Sequence, residues 1–327
     1  MSKLKHMKIF DVVIVGAGPI GLACGIEAEK RSLSYKIIEK GCLVNSIFHF
    51  PVNMTFFSTS ERLEIGGVPF ISHGDKPTRR EALEYYRRVA LAWNLKINTY
   101  ERVVDIKREK FYYNVISEKD KYTAKALVIA TGYYDNPNLL NIPGETLEKV
   151  SHYFTEAHPY TDQKVVVVGG GNSAVDVALE CFRRGAEVTM AVKKTALEKT
   201  IKYWVKPDIE NRIKEGSITA YFSAYLKEIR EKQVVIQTGK KHNKTIANDF
   251  VFAMTGYRPD YDFLEKVGLK CDEDGAGTPC YNPDTFETHL EGIYLAGVVC
   301  GGMDTSRWFI ENAREHPHKI FEHMLKK

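Results

Sequence analysis

The fold turns on Phe10-Asp11-Val12-Val13-Ile14-Val15, which runs straight into Gly16-Ala17-Gly18-Pro19-Ile20-Gly21. A short, continuous apolar run of this kind suits a parallel strand covered on both faces. The glycines behind it, spaced G-x-G-x-x-G, open a helix expected from Leu22 to Arg31. Gly16 permits a tight turn, Gly18 lets a pyrophosphate approach the backbone, and Gly21 lets helix and strand pack closely. The helix N-terminus supplies free N–H donors and a positive field for the phosphates. A second strand, Tyr35–Ile38, closes with Glu39, whose carboxylate can accept hydrogen bonds from an adenosine ribose.

The same unit occurs again. Lys164–Val168 leads into Gly169-Gly170-Gly171-Asn172-Ser173-Ala174, a helix to about Arg184, and a strand Glu187–Val192. Alanine at the last glycine position is a permitted variant. The next strand ends on Lys193 and Lys194 instead of a carboxylate. A carboxylate binds a ribose 2′-hydroxyl and repels a 2′-phosphate, whereas cations attract the phosphate, so this second turn is expected to prefer NADPH over NADH. One chain with a glutamate-type and a lysine-type dinucleotide turn implies electron traffic between two carriers, FAD at the first and NADPH at the second.

At 327 residues and net charge +4 the chain is sized for about two domains, with no basic stripe of the kind nucleic acid demands. A mean hydropathy of −0.29 and no apolar run long enough to span a bilayer lead to the expectation of a soluble, cytoplasmic protein that engages no membrane. Met1–Met7 is too polar for a signal peptide and reads as a leader. No two of Cys24, Cys42, Cys181, Cys271, Cys280 and Cys300 form a C-x-x-C pair, so neither zinc nor a dithiol centre is expected and no metal is assigned. Elsewhere Thr78-Arg79-Arg80-Glu81 reads as a capping box opening a helix to about Trp93, with Leu83, Tyr86, Ala90 and Trp93 on its buried face. Strands are expected at Ala126–Ala130, Phe250–Met254 and Gly292–Ala296, and a closing helix from about Ser306.

In sequence, Gly16-x-Gly18-x-x-Gly21, Glu39, Ala130-Thr131-Gly132, Gly169-Gly170-Gly171-x-x-Ala174, Thr255-Gly256 and Leu295-Ala296-Gly297 together resemble the thioredoxin-reductase-like flavoproteins. The resemblance covers nearly the whole chain and implies an α/β fold of two doubly wound, Rossmann-like nucleotide-binding domains, the NADPH domain inserted into the FAD domain. It implies an FAD domain at 1–134 plus 256–327 and an NADPH domain at 135–255. Those reductases carry a C-x-x-C before the second glycine turn; here Tyr153 and Glu156 stand at the cysteine positions, so thioredoxin cannot be reduced by that route.

A narrower set of words, Glu39-Lys40-Gly41, Val44-Asn45-Ser46-Ile47, Thr55-Phe56-Phe57-Ser58, Lys149–Phe154, Glu156–Tyr160 and Phe309-Ile310-Glu311-Asn312, is similar to the bacillithiol disulfide reductase-type (YpdA-type) flavoproteins. That similarity implies a cytosolic, FAD-containing, NADPH-dependent homodimer acting on a low-molecular-weight disulfide. It also implies cofactor contacts at Lys40, Asn45, Ser46, Thr131, Gly132, Thr255, Gly256, Gly297, Val298, Phe309 and Ile310. Two departures stand out: Ile20 where those proteins carry cysteine, and Val298 where many relatives carry aspartate. Isoleucine has no thiolate and forms no mixed disulfide.

Candidate catalytic residues follow from what is left. Cys24 shares a helix face with Ile20, and Cys300 follows Gly297, so either thiol is a candidate replacement. His152 flanks the segment that replaces C-x-x-C and is a candidate proton relay. Trp308 is a candidate to stack on the flavin or to fill a dimer core. The expected reaction is hydride transfer from NADPH to FAD and on to a small disulfide. The alternatives are a small redox protein (ferredoxin or flavodoxin) as acceptor, a flavin monooxygenase, or a sensor that binds both nucleotides without turnover.

Overall fold

The computed structural model describes residues 8–239, 242–273 and 275–327, so the leader read at Met1–Met7 lies outside the described residues. The described residues form two compact units: residues up to Phe48 with Met54–Asn136 and Tyr257–Lys327, and His49–Asn53 with Pro137–Gly256.

The first unit begins with β1 (Ile9–Val15), α1 (Pro19–Lys30), β2 (Tyr35–Ile38), α2 (Asn45–Phe48), α3 (Arg79–Ala92), β3 (Ile97–Asn98), β4 (Val103–Arg108), β5 (Tyr113–Ser117) and β6 (Lys121–Ile129). Helix α1 starts at Pro19, earlier than Leu22, because proline's fixed φ and missing N–H suit the first helical position. β1 is central, parallel to β2 on one side and to β6 on the other, with Val12 opposite both Tyr35 and Ala126. Strand order is β3-β2-β1-β6-β5-β4, so the chain reverses direction across the sheet between β1 and β6. Ligands of open α/β sheets bind at such a switch point.

The Thr78–Glu81 capping box opens α3 as expected. Its buried face is a different one, made of Ala82, Tyr85, Tyr86 and Val89, with Tyr86 the one residue shared with the expectation. The tyrosines set that phase. The Tyr85 hydroxyl accepts from the Ile65 N–H at 2.8 Å, the Tyr86 hydroxyl donates to the Leu63 carbonyl at 3.0 Å, and Phe70 stacks on Tyr85 at 4.2 Å.

The second unit contains β7 (Val150–Ser151), β8 (Lys164–Val168), α4 (Asn172–Arg183), β9 (Glu187–Val192), α5 (Lys206–Lys214), β10 (Thr219–Phe222) and β14 (Phe250–Ala253). Its parallel sheet has the order β10-β9-β8-β14-β7. Val175, Ala178 and Leu179 of α4 pack on Val165 and Val167 of β8, and each large aliphatic side chain so buried contributes about 1.5–3 kcal/mol. Between β10 and β14 lies an antiparallel ribbon, β11 (Ala224–Arg230), β12 (Gln233–Thr238) and β13 (His242–Ala247), which the sequence patterning did not announce.

The chain then returns to the first unit through α6 (Tyr261–Lys266) and β15 (Ile293–Leu295), which joins the carboxyl half of β6 in parallel. The closing helix expected from Ser306 is broken into α7 (Ile310–Ala313) and α8 (His316–Lys326). Pro317 sits in the first turn of α8, where it cannot donate a helical hydrogen bond, so the helix restarts there instead of continuing. Among the described residues no helix is long and apolar enough to cross a membrane.

Candidate functional site

In the first unit, the turns at the carboxyl ends of β1, β6 and β15 come together. A Cβ on Gly16, whose φ is +107°, would stand 2.5 Å from the Ala130 carbonyl oxygen, and one on Gly21 would collide with the Gly16 carbonyl. A Cβ on Gly18 would meet nothing within 4 Å. The clearances at Gly16 and Gly21 are those that a tight turn and close helix–strand packing require, and Gly18 leaves open space at the N-terminus of α1. Gly297, at φ +83°, lies against Ile20, 3.3 Å from where its Cβ would be, and the Val298 methyl is 3.8 Å from the corresponding point on Gly132.

Glu39 is buried beneath this turn, and burial pushes its carboxyl above the usual range. One carboxylate oxygen accepts the Ala17 N–H at 2.7 Å and the other the Gly41 N–H at 2.8 Å. Each oxygen keeps a second lone pair, so holding the turn and accepting from a ribose are compatible. Lys40 pairs with Asp135 at 2.9 Å. The Asn45 side-chain oxygen accepts the Cys42 N–H at 3.3 Å, with Ser46 half-buried beside it on α2. The buried Thr131 hydroxyl has no hydrogen-bond partner among the described residues.

Cys24 and Cys300 are both fully buried, and burial pushes both thiols far above the ordinary range. Neither is placed as an exposed thiolate nucleophile. The Cys300 sulfur lies 4.0 Å from Nδ1 of His316, a residue that sequence reasoning passed over. That buried nitrogen also accepts the Gly297 N–H at 3.2 Å, while the ring lies against Phe286 at 3.9 Å and meets Trp308 edge-on at 4.3 Å. Burial pushes the His316 pKa down to about 3, so the ring is neutral with its proton on Nε2. Trp308 thus belongs to a ring cluster inside this unit. Phe309 is exposed ahead of Ile310, the first residue of α7, and a helix of four residues carries little dipole. A histidine directly before the proline of a helix start was the one signal that marked His316.

In the second unit, Gly169 has φ +130° and a Cβ there would collide with the Met254 carbonyl. Asn172 is tied down: its amide donates to the Thr200 carbonyl at 3.0 Å and its side-chain oxygen accepts the Lys202 N–H at 2.9 Å. Ser173 is exposed and Ala174 buried against the turn. Lys193 and Lys194 are both exposed, Lys194 pairing with Glu198 at 2.8 Å. The Thr255 hydroxyl donates to the Asn138 carbonyl, and the Gly256 carbonyl accepts the Asn138 N–H at 3.0 Å. His152 Nε2 lies 3.2 Å from Glu145, whose carboxylate also accepts the Leu140 and Asn141 N–H groups at 2.5 and 2.6 Å. That arrangement makes His152 part of a loop clamp.

Residues 13–297 match the family described as pyridine nucleotide-disulphide oxidoreductase. The chain belongs to that family. It is 44% identical to bacilliredoxin reductase Bdr of Bacillus subtilis (strain 168), over 96% of this chain and 97% of that protein. It is also 44% identical to the solved bacillithiol disulfide reductase Bdr (YpdA) from Bacillus cereus, with a TM-score of 0.95 over 98% of this chain and 99% of the other. The thioredoxin reductase of Lactococcus lactis, at 22% identity and a TM-score of 0.76 over 97% and 98% of the two chains, shares the fold. The protein is a flavoprotein oxidoreductase with FAD and NADPH as its cofactors. The open Gly18 face and the orphaned Thr131 hydroxyl fit a dinucleotide at the first turn, and Gly169 with the exposed lysines fits a phosphorylated one at the second.

Proposed function

We propose that the chain reduces a low-molecular-weight disulfide of the bacillithiol class, holding FAD in the unit that carries Gly18 and NADPH in the unit Pro137–Gly256. For each disulfide, one NADPH and one proton are consumed, and NADP+ and two thiols are released. The observation that carries the two-cofactor assignment is the pair of glycine turns, one backed by buried Glu39 and the other flanked by Lys193 and Lys194. The disulfide is supported by 44% identity, along nearly the whole chain, to a solved protein named bacillithiol disulfide reductase.

FAD, when bound, supplies a two-electron acceptor for the hydride of NADPH. The chain's own residues bind and orient. The N–H groups opening α1 and the cleared space at Gly18 receive the FAD pyrophosphate, and Glu39 fixes the turn while offering lone pairs to the ribose. Thr131, Gly132, Gly297 and Val298 border the same place, and by the family resemblance Lys40, Asn45, Ser46, Phe309 and Ile310 would add further contacts to the cofactor. His316 holds the Gly297 N–H and so positions that turn. Gly169, Gly171, Asn172, Ser173 and Ala174 receive the NADPH pyrophosphate, Lys193 and Lys194 its 2′-phosphate, and Thr255 and Gly256 close the far strand. No thiol of Cys24 or Cys300 is assigned a part. With Ile20 also thiol-free, a one-electron or two-electron redox protein is the competing acceptor. We further propose a cytoplasmic homodimer, checked by light scattering on the purified protein.

The test is anaerobic NADPH consumption with bacillithiol disulfide, ferredoxin, flavodoxin or thioredoxin supplied in turn. Fast turnover with bacillithiol disulfide alone supports the assignment; turnover with a ferredoxin or flavodoxin and none with the disulfide replaces it.

A further inference from the structure

The two glycine turns also differ in the space around their second glycine. The second glycine of the first turn, Gly18, has nothing within 4 Å of its would-be Cβ, whereas the equivalent point on Gly171 lies 3.1 Å from a carboxylate oxygen of Glu198. Glu198 is carried there by the segment after β9, which folds back over the start of α4. Its N–H donates to the Gly170 carbonyl at 3.0 Å, and farther along Thr200 and Lys202 bond the two ends of the Asn172 amide. Lys202 continues down the helix to Asp176 at 2.7 Å. The other Glu198 oxygen pairs with Lys194 at 2.8 Å. A single carboxylate therefore stands on the face of the glycine that admits a pyrophosphate and neutralises a lysine suited to a 2′-phosphate. It is favourably placed by the same physics, since an anion at a helix N-terminus is stabilised whether it is a phosphate or a carboxylate.

We propose that Glu198 is a tethered competitor of the coenzyme phosphates, which NADPH displaces from Gly171 and Lys194 on binding and which sets the affinity of the site. The proposal rests on the assignment of NADPH to this turn. Displacement releases Lys194 to a dianionic partner, so the 2′-phosphorylated coenzyme gains more from losing the competitor than NAD+ does. Lys194 is two-thirds exposed, which keeps each contribution modest.

Equilibrium binding of NADP+ and NAD+ to the FAD-loaded protein, measured by calorimetry, reads this without turnover. Glu198→Gln keeps the shape and removes the charge, and should tighten NADP+ about three- to tenfold, with a smaller gain for NAD+. Unchanged or weaker NADP+ binding in Glu198→Gln overturns the proposal, because the carboxylate would then be inert or would be holding Lys194 in place for the phosphate. Lys194→Gln, measured beside it, separates the two levels. It should weaken NADP+ selectively and shrink the Glu198→Gln gain in the double variant. If Lys193→Gln and Lys194→Gln both leave NADP+ and NAD+ binding untouched, the coenzyme assignment itself is wrong and the competitor falls with it.

Discussion

Two alanine substitutions three residues apart should fail in opposite ways. At Gly21 the new Cβ falls well inside 3.0 Å of the Gly16 carbonyl oxygen, against an optimum of about 3.5–4.0 Å. The obstruction is backbone, with no side chain to swing aside, so α1 must shift from β1 by something on the order of an ångström. Overpacking of that kind costs up to about 3 kcal/mol, offset by about 1 kcal/mol from alanine's better helix propensity, leaving about 2 kcal/mol of destabilisation. At Gly18 the new methyl meets nothing within 4 Å, and the backbone sits at φ −69°, which any residue adopts. Gly18→Ala should therefore leave the flavin-stripped protein within about 0.5 kcal/mol of wild type yet weaken FAD by about tenfold or more, because the methyl fills the space the pyrophosphate takes. Urea denaturation of the stripped proteins measures the first effect and FAD titration the second. Equal destabilisation by both substitutions, or full flavin affinity in Gly18→Ala, would refute the division of labour among the glycines.

Other expectations concern the residues around that turn. Glu39→Gln leaves either the Ala17 or the Gly41 N–H facing an amide donor, which should cost about 1–3 kcal/mol even without flavin and should lower flavin retention; an unchanged unfolding midpoint would contradict it. Unfolded histidine titrates near 6.5 and folded His316 near 3, so as pH falls the unfolded chain takes up the proton first. Stability should drop by about 2–3 kcal/mol over the first two pH units below 6.5 and flatten below the folded value, and His316→Asn should shallow that slope in pH-dependent denaturation. Equal slopes would remove His316 from the account. Cys24→Ser and Cys300→Ser should each keep disulfide turnover within about threefold of wild type in the folded fraction, since a rate change of that size is under 1 kcal/mol of barrier; abolished disulfide turnover with intact NADPH-to-dye activity would restore a thiol to the reaction.

What the sequence made legible followed from strong local signals. β2, β8 and β9 begin and end where the apolar runs do, and the capping box at Thr78–Glu81 starts α3. The buried face of α3 was misjudged because aromatic hydroxyls bonding Ile65 and Leu63, far off in the chain, outweigh a count of apolar positions. The break before Pro317 was written in the proline itself, but the apolar spacing on either side concealed it. In the β11–β13 ribbon, β11 alternates buried apolar with exposed, mostly charged residues and β13 is exposed along almost its whole length, so Val234-Val235-Ile236 of β12 is the ribbon's one apolar run and is shorter than those that marked the parallel strands. Within the site, the tight turn at Gly16, the close packing at Gly21 and the open space at Gly18 were readable from spacing. The task of His316 and the position of Glu198 were not, since each depends on a partner brought near only by tertiary folding.

The most direct measurement is an anaerobic titration of the purified, FAD-loaded protein with NADPH and then with bacillithiol disulfide, followed by the visible flavin absorbance. One FAD per chain, bleached by one equivalent of NADPH far faster than by NADH and recoloured by the disulfide, is the predicted course. A chain that takes up no FAD, or whose bound flavin NADPH leaves oxidised, would contradict it.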